Sequence, residues 1–399
     1  MMRTILYPEW IIDGTGGAPT AGRAVIVEGG TIQAVVQNCE AEPQPGDQRV
    51  DLAGATLIPG LINNHVHAVL PGDSTPFPNV QWQSDVALAL QATHNVGVAL
   101  RHGVTTVRDC GGRQTIMIEV RDAQARGLVQ GARVIACGWP ITISGGHVRY
   151  FGGEADGTDG VRTMVRKVVS AGADFVKVMA SGGGTPGSIS HLPSYSVEEL
   201  KAIVEVAHSL GRKVSAHCTN TASIVNAATA GVDVIEHASF ANPDASYRFD
   251  ADVANQVANA GIYVTPTLQV FRDMTDILPE GTEQMRWRRM RDGQRDGARG
   301  LRELGVRLLA GSDAGWRATT FDTFWKELDE LVICGLSPAE AIHAATGAVA
   351  EAFGFGEQFG AIRPGLAADL VAVEGDLAHG EMHQLTQLRA IFQGGVRVS

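Results

Sequence analysis

Leu57-Ile58-Pro59-Gly60-Leu61-Ile62-Asn63-Asn64-His65-Val66-His67 is the stretch on which the fold turns. An apolar run ends in two histidines spaced two apart. In a strand, residues i and i+2 point to the same side, so the imidazoles of His65 and His67 converge on one point at the strand's end. That arrangement suits a metal ion better than an apolar core, although the His-x-His pattern also occurs on solvated loops. Downstream, four more strand-like runs end in a possible ligand: Lys177 in FVKVMA, His217 in KVSAHC, His237 in DVIEHASF and Asp313 in RLLAGSDAG.

The segments between these runs explain the repetition. Strands are predicted over 55–62, 104–108, 133–137, 175–179, 213–216, 232–235, 263–267 and 307–310, with amphipathic segments between them. In the segment 196–210, Val197, Leu200, Ile203, Val204 and Ala207 recur at helical spacing, with Ser196 as a start signal and Gly211 as a stop. Eight strand–helix units argue for an α/β fold of the (β/α)8 TIM-barrel type, whose active site lies at the carboxyl ends of the strands. A doubly wound open sheet is the alternative, because periodicity alone does not close a barrel.

Outside this middle the pattern changes. Arg23–Val27, Thr31–Val36 and Arg49–Leu52 read as short strands, with Gly29-Gly30 as a hairpin turn. The runs 369–373, 388–392 and 394–398 look similar, and neither terminal piece is large enough for a core of its own. The expected organisation is a small β-sandwich built from both ends (1–57 plus 364–399) around a barrel over 58–363.

Composition narrows the class. With 399 residues, 44% hydrophobic and 19% charged, the chain is of enzyme size and has no low-complexity tract. A formal charge of -11 argues against nucleic acid or an anionic membrane as partner and leaves small molecules open. Cys39, Cys110, Cys137, Cys218 and Cys334 are odd in number and form no CxxC pair, which predicts reduced thiols. The start MMRTILYPEWIIDG lacks a basic segment followed by a long apolar one, and no run of about twenty apolar residues occurs. A cytoplasmic location is the expectation.

Each candidate ligand also has a plainer reading. A strand histidine is commonly a hydrogen-bonded core residue, and Asp313 before Ala314-Gly315 can cap a helix. Lys177 is the sharpest clue: Phe175 and Met179 share its face, and Val176 and Val178 line the other. An ammonium buried there loses several kcal/mol of hydration unless it is paired or sheds its proton. A pairing carboxylate elsewhere in the chain is one resolution. The other is reaction of the neutral amine with carbon dioxide to a carbamate, an anionic group able to bridge two cations.

The motifs PGLINNHVH, FVKVMASGGG, SAHC, VIEHASF, AGSDAG and GAIRPGLAADLVAV together resemble the amidohydrolase superfamily. The likeness is to its imidazolonepropionase-like branch, which includes prolidases, arginine carboxypeptidases and hydrolases of carbamates and phenylureas. It covers essentially the whole chain. It implies a metal-dependent hydrolase of a carbon–nitrogen bond in a small molecule. His65, His67 and Asp313 would hold one divalent ion, and His217 and His237 a second. A carbamylated Lys177 would bridge both. Zinc is the first choice, with manganese, cobalt or iron compatible with the same ligands. Water shared by the two ions would be the nucleophile, and Asp313 its general base and later the acid for the departing nitrogen. The resemblance further implies substrate contacts by His147, with Arg149 and Tyr150 beside it, and assembly into a homo-oligomer. Loops 68–83, 138–158, 181–195 and 269–281, rich in Gly and Pro, would shape the pocket. Gly182-Gly183-Gly184 is not a phosphate loop, since no Gly-Lys-Ser/Thr ending follows.

Two departures matter. Asn63 stands where many relatives have Asp, and Thr219 where dipeptidases of the branch carry a carboxylate-gripping Tyr. A neutral amide, carbamate or urea therefore gains over an Xaa-Pro or Xaa-Arg dipeptide, unless Arg149 compensates. Deaminases of the superfamily usually show Glu where Thr219-Asn220-Thr221 lie here and lack the bridging Lys. A metal-free scaffold would have replaced several ligands, and none is replaced.

Overall fold

Gly60 divides the strand expected over 55–62 into two that belong to different sheets. Strand Gln48–Pro59 ends before it and strand Leu61–Val66 begins after it. A Cβ at Gly60 would lie 2.1 Å from Thr105 Oγ1 and 2.5 Å from its Cγ2, so glycine is what lets the backbone pass this close to the Thr105 side chain. Hydropathy alone runs straight across this boundary. The structure, a computed structural model, describes residues 3–73, 79–244 and 246–398, so part of the loop expected over 68–83 lies outside the described residues.

Numbered along the chain, β1 (Thr4–Ile11), β2 (Thr20–Ala21), β3 (Arg23–Glu28), β4 (Thr31–Gln37) and β5 (Gln48–Pro59) come first. The middle carries β6 (Leu61–Val66), β7 (Val104–Asp109), β8 (Arg133–Ala136), β9 (Val176–Met179), β10 (Val214–Asn220), β11 (Val234–Ala241) and β12 (Tyr263–Thr265). Last come β13 (Leu370–Glu374), β14 (Leu388–Gln393) and β15 (Val396–Arg397). Both chain ends share one sheet in the order β15-β14-β13-β5-β1-β3-β4, with β2 on β1. β5 runs parallel to β1, and β13 antiparallel to β5 with Thr56 opposite Val373. Gly29 and Gly30, at φ +59° and +83°, form the expected two-residue turn between Glu28 and Thr31. One face of this sheet buries Leu6, Val25, Ile32, Leu52, Leu57, Leu370 and Phe392 in a single apolar cluster.

The middle strands form two sheets, β6-β7-β8 and β12-β11-β10-β9. In the second, β9, β10, β11 and β12 are parallel. Parallel bridges join Ile141 to Val178, Val264 to Leu308 and Val66 to Ala314. The strand expected over 307–310 is thus reduced to the bridge at Leu308, with Leu309 N–H donating to Val264 O at 2.8 Å. Helices alternate with these strands. That of Val197–Ser209 starts as expected, with the Ser196 side chain accepting from Glu199 N–H in a capping box.

One expectation fails: the loop predicted over 269–281 contains a helix, Leu268–Ile277. Leu268, Val270, Phe271 and Met274 are its buried face, but its start at Thr267 has no side-chain cap, so the usual signal is missing.

Residue contacts divide the chain into two compact units. One holds the chain up to Asn63, Val98–Thr106 and the residues from Asp322 on; the other holds Asn64–Gly97 and Val107–Phe321. Cys110, Cys137, Cys218 and Cys334 are buried free thiols and Cys39 an exposed one. Among the described residues no helix is long and apolar enough to cross a membrane.

Candidate active site

His65, His67, Lys177, His217, His237 and Asp313 all line one cavity of about 230 Å³ in the second unit. His65 lies near the end of β6 and His67 just beyond it; Lys177, His217 and His237 lie on β9, β10 and β11. The rings of His217 and His237 are 4.5 Å apart between centroids, those of His65 and His237 5.1 Å, and those of His65 and His67 5.5 Å. Side-chain alternation along a strand would not by itself aim all of these inward. His237 (φ +69°), Thr267 (+49°) and Asp313 (+60°) adopt left-handed backbone, which re-aims the chain at the strand ends. Each such residue costs on the order of 1 kcal/mol, held here by surrounding bonds such as Asp313 N–H to His65 O at 2.9 Å.

The second nitrogen of each ring has a partner. His65 Nδ1 bonds Glu236 Oε2 at 2.9 Å, His67 Nδ1 the Gly111 carbonyl at 2.8 Å, and His237 Nδ1 Thr267 Oγ1 at 2.7 Å. Among the described residues, this turns the Nε2 atoms of His67 and His237 to the cavity that both rings line. His217 is turned the other way: its Nε2 meets the Gly182 carbonyl at 3.2 Å, leaving Nδ1. Under His65 lies a buried polar group that hydropathy conceals. Glu236 accepts from Arg108 and Ser215 as well, while Arg108 Nε donates to the backbone and side-chain oxygens of Asn64, both at 2.8 Å. Glu236 and Arg108 are fully buried, so their opposite charges compensate each other away from water.

Burial holds the imidazoles neutral. It pushes His65, His147, His217 and His237 well below the ordinary histidine range, and His67 down to about 4. Neutral imidazole is the metal-binding form. Burial acts oppositely on Asp313, raising its carboxyl to about 7 against the pull of Lys177.

The donor set fits a divalent cation. Asp313 Oδ1 lies 3.6 Å from His65 Nε2 and 3.5 Å from His67 Nε2, too long for hydrogen bonds. Ligands at about 2.1 Å around a tetrahedral ion stand about 3.4 Å apart, which matches this spacing. Lys177 Nζ and Asp313 Oδ1 are buried without a hydrogen-bond partner among the described residues. An orphaned amine and an orphaned carboxylate oxygen in the cavity that the imidazoles line fit a site for a cation. His65, Cys110 and Glu236 also lie close together, but burial pushes the Cys110 thiol up to about 12 and Glu236 is engaged by Arg108. That second trio holds no free thiolate for a metal.

Of the residues expected to face substrate, His147 lines the cavity and Arg149 and Tyr150 do not figure in its lining. Arg149 donates instead to the Pro186 carbonyl at 2.9 Å, and Tyr150 packs edge-on against Phe151. His147 Nδ1 meets Thr185 Oγ1 at 2.9 Å, and its ring is 4.7 Å from that of His217. The glycine run serves close approach. A Cβ at Gly183 would sit 2.6 Å from the His147 ring, and one at Gly184 2.9 Å from Trp316. The rest of the wall comes from residues that sequence reading did not single out: Val270, Phe271, Trp287, Met290, Trp316 and Arg317. Val270 and Phe271 sit on the buried face of the helix Leu268–Ile277, Trp287 and Met290 on the helix Thr282–Glu303 that follows it, and Trp316 and Arg317 just beyond Asp313.

Residues 56–397 match the amidohydrolase family. The chain is 28% identical to ochratoxinase of Aspergillus niger, over 93% of this chain and 81% of that one. It is 24% identical to imidazolonepropionase of Chromobacterium violaceum, over 92% and 89%. A crystal structure of a Xaa-Pro dipeptidase with bound methionine in the active site superposes with a TM-score of 0.87 at 26% identity, covering 100% of both chains. A match that runs from the end of β5 to β15 goes well beyond a few shared histidines, and by it this chain belongs to the amidohydrolase family, a hydrolase acting on carbon–nitrogen bonds.

Proposed function

We propose that the chain hydrolyses an amide, carbamate or urea bond of a small molecule with two divalent metal ions held in the cavity. The observation that carries this reading is the meeting of four imidazoles with Lys177 Nζ and Asp313 Oδ1, both buried without a hydrogen-bond partner among the described residues. His65, His67 and Asp313 are assigned to one ion, and His217 and His237 to the other. Lys177 would serve both as a carbamate: its neutral Nζ attacks carbon dioxide, a nitrogen–carbon bond forms, and a proton leaves to solvent. Zinc suits these nitrogen and oxygen ligands, as do manganese, cobalt and iron.

When bound, such ions lower the pKa of water to near neutrality and polarise the scissile carbonyl. Asp313 then takes the proton of the attacking water and passes it to the departing nitrogen, without which an amide anion would have to leave. His147 holds the substrate. Its Nδ1 is anchored 2.9 Å from Thr185 Oγ1, which also accepts from Val148 N–H at 3.0 Å, so the imidazole is fixed in the cavity wall by one buried hydroxyl.

The same reading extends to architecture. The bridges between the two middle sheets support a closed (β/α)8 barrel over 58–363, with the shared terminal sheet (1–57 plus 364–399) rolled into a small β-sandwich. A cytoplasmic homo-oligomer remains the corresponding cellular picture. The test is a panel of N-acyl amino acids, Xaa-Pro and Xaa-Arg dipeptides, carbamates and phenylureas, assayed with and without added zinc and bicarbonate. Hydrolysis that requires metal and rises with bicarbonate supports the reading; metal-independent turnover, or none across the panel with metal bound, overturns it.

A further inference from the structure

Four residues beyond Asp313, Arg317 brings a part-buried cation into the cavity. Its Cζ lies 5.3 Å from the centroid of the Trp287 ring, and its Nη2 lies 3.5 Å from where a Cβ on Gly184 would be. The backbone there is left-handed, at φ +52°, which turns the side chain back over the cavity. The other lining arginine, Arg286, has Glu283 at 4.0 Å, and Glu283 also accepts from Trp287 Nε1 at 3.1 Å. Among the described residues Arg317 has no carboxylate within ion-pair distance. Its guanidinium is thus stacked on one face with its N–H edge uncommitted, the geometry that receives a carboxylate by two parallel bonds.

The surroundings say what else the ligand carries. Trp287 meets Phe271 with ring centroids 6.0 Å apart, and Val270, Met274 and Met290 complete an apolar cluster with Trp316. Trp316 in turn stands edge-on to His147 at 5.7 Å. Arg317 follows Asp313 by four residues, and both line the same cavity.

We infer that Arg317 is the specificity-determining residue of this site and selects N-acyl α-amino acids, pairing with the free carboxylate while an apolar side chain rests against Phe271, Trp287 and Met290. This rests on the hydrolytic reading above. It also accounts for Thr219, whose hydroxyl is held by Ser190 O at 2.7 Å and Gly182 O at 3.1 Å: the carboxylate is gripped from the opposite loop instead.

The test compares N-benzoyl-L-phenylalanine with its primary amide on the metal-loaded enzyme. The acid should be preferred in kcat/KM, chiefly through KM. Arg317→Met should collapse that preference by on the order of 10- to 100-fold, and Arg317→Lys should restore part of it. Equal loss on both compounds, or an unchanged ratio, would overturn the assignment. Calorimetric binding of N-benzoylglycine against N-benzoylglycinamide gives a readout that needs no turnover. Acid-selective binding lost in Arg317→Met supports the subsite even if no hydrolysis occurs; absence of any acid preference in the wild type rejects it, whatever the catalytic result.

Discussion

His65 Nδ1 donates to Glu236 Oε2 across 2.9 Å, with both side chains sealed from solvent. A carboxylate accepts only, so the contact fixes the tautomer of His65 and points its Nε2 at Asp313 and His67. Glu236 is held ionised by Arg108, the leading cause of its depressed pKa after burial is opposed. The imidazole, the carboxylate and the guanidinium therefore form one unit in which each partner's charge or orientation depends on the next.

Glu236→Gln breaks that unit and leaves Arg108 buried without its counter-charge. The variant should lose about 3–5 kcal/mol of stability. Its metal affinity should fall by roughly 10- to 100-fold through loss of the ring's orientation. Denaturant unfolding of metal-free protein and competition with a chelator measure the two effects separately.

Asp313→Asn should retain its fold and bound metal but turn over on the order of 10²- to 10⁴-fold more slowly, because the amide cannot take the water's proton. Steady-state kinetics beside metal analysis decide this. Residual activity within a few-fold of the wild type would remove Asp313 from proton transfer.

In the metal-free protein, acid should destabilise the fold. His67 falls from 6.5 to about 4 on folding, so its contribution is full above pH 6.5 and is lost as pH drops through about 4. His65, His147, His217 and His237 shift the same way. Asp109 and Asp313, raised from 3.8 to about 7, work oppositely: their contribution is present at low pH and lost as pH rises through about 7. Five imidazoles outweigh two carboxyls between these limits. Thermal melts from pH 7 to pH 4.5 should therefore show a falling Tm, and a rising one would contradict the burial argument.

Gly60→Ala should cost about 1–3 kcal/mol by forcing a methyl into Thr105. Thr105→Ala removes the two nearest atoms, at 2.1 and 2.5 Å, and leaves only the Thr105 Cβ position at 2.8 Å. The double variant should accordingly be less destabilised than the sum of the two single ones, a coupling that a double-mutant cycle reads directly.

That His65, His67, Lys177, His217, His237 and Asp313 meet in one cavity was legible because each is a polar side chain ending an otherwise apolar strand, a combination with few plain explanations once it recurs. Lys177 stood out for the same reason. Glu236 and Arg108 were not legible: each reads as a solvated strand residue, and only the fold shows that they meet across 128 positions. Arg149 drew attention because it follows His147 in sequence, whereas the cavity wall also comes from the turn after Asp313 and from a helix that begins without a cap, neither of which the sequence reading singled out. Gly60 hid a sheet boundary because apolar residues flank it on both sides, and its close approach to the Thr105 side chain leaves no trace in hydropathy.

Thr56 of β5 pairs with Val373 of β13, so a strand made early in synthesis waits for one made more than 300 residues later. Until the ribosome has released that distant segment, β5 presents a bare, apolar edge to solvent or to other nascent chains. Loss of the final strands by premature termination would leave that edge permanently unmatched, and such fragments should aggregate even though every strand that contributes to the cavity had already been translated.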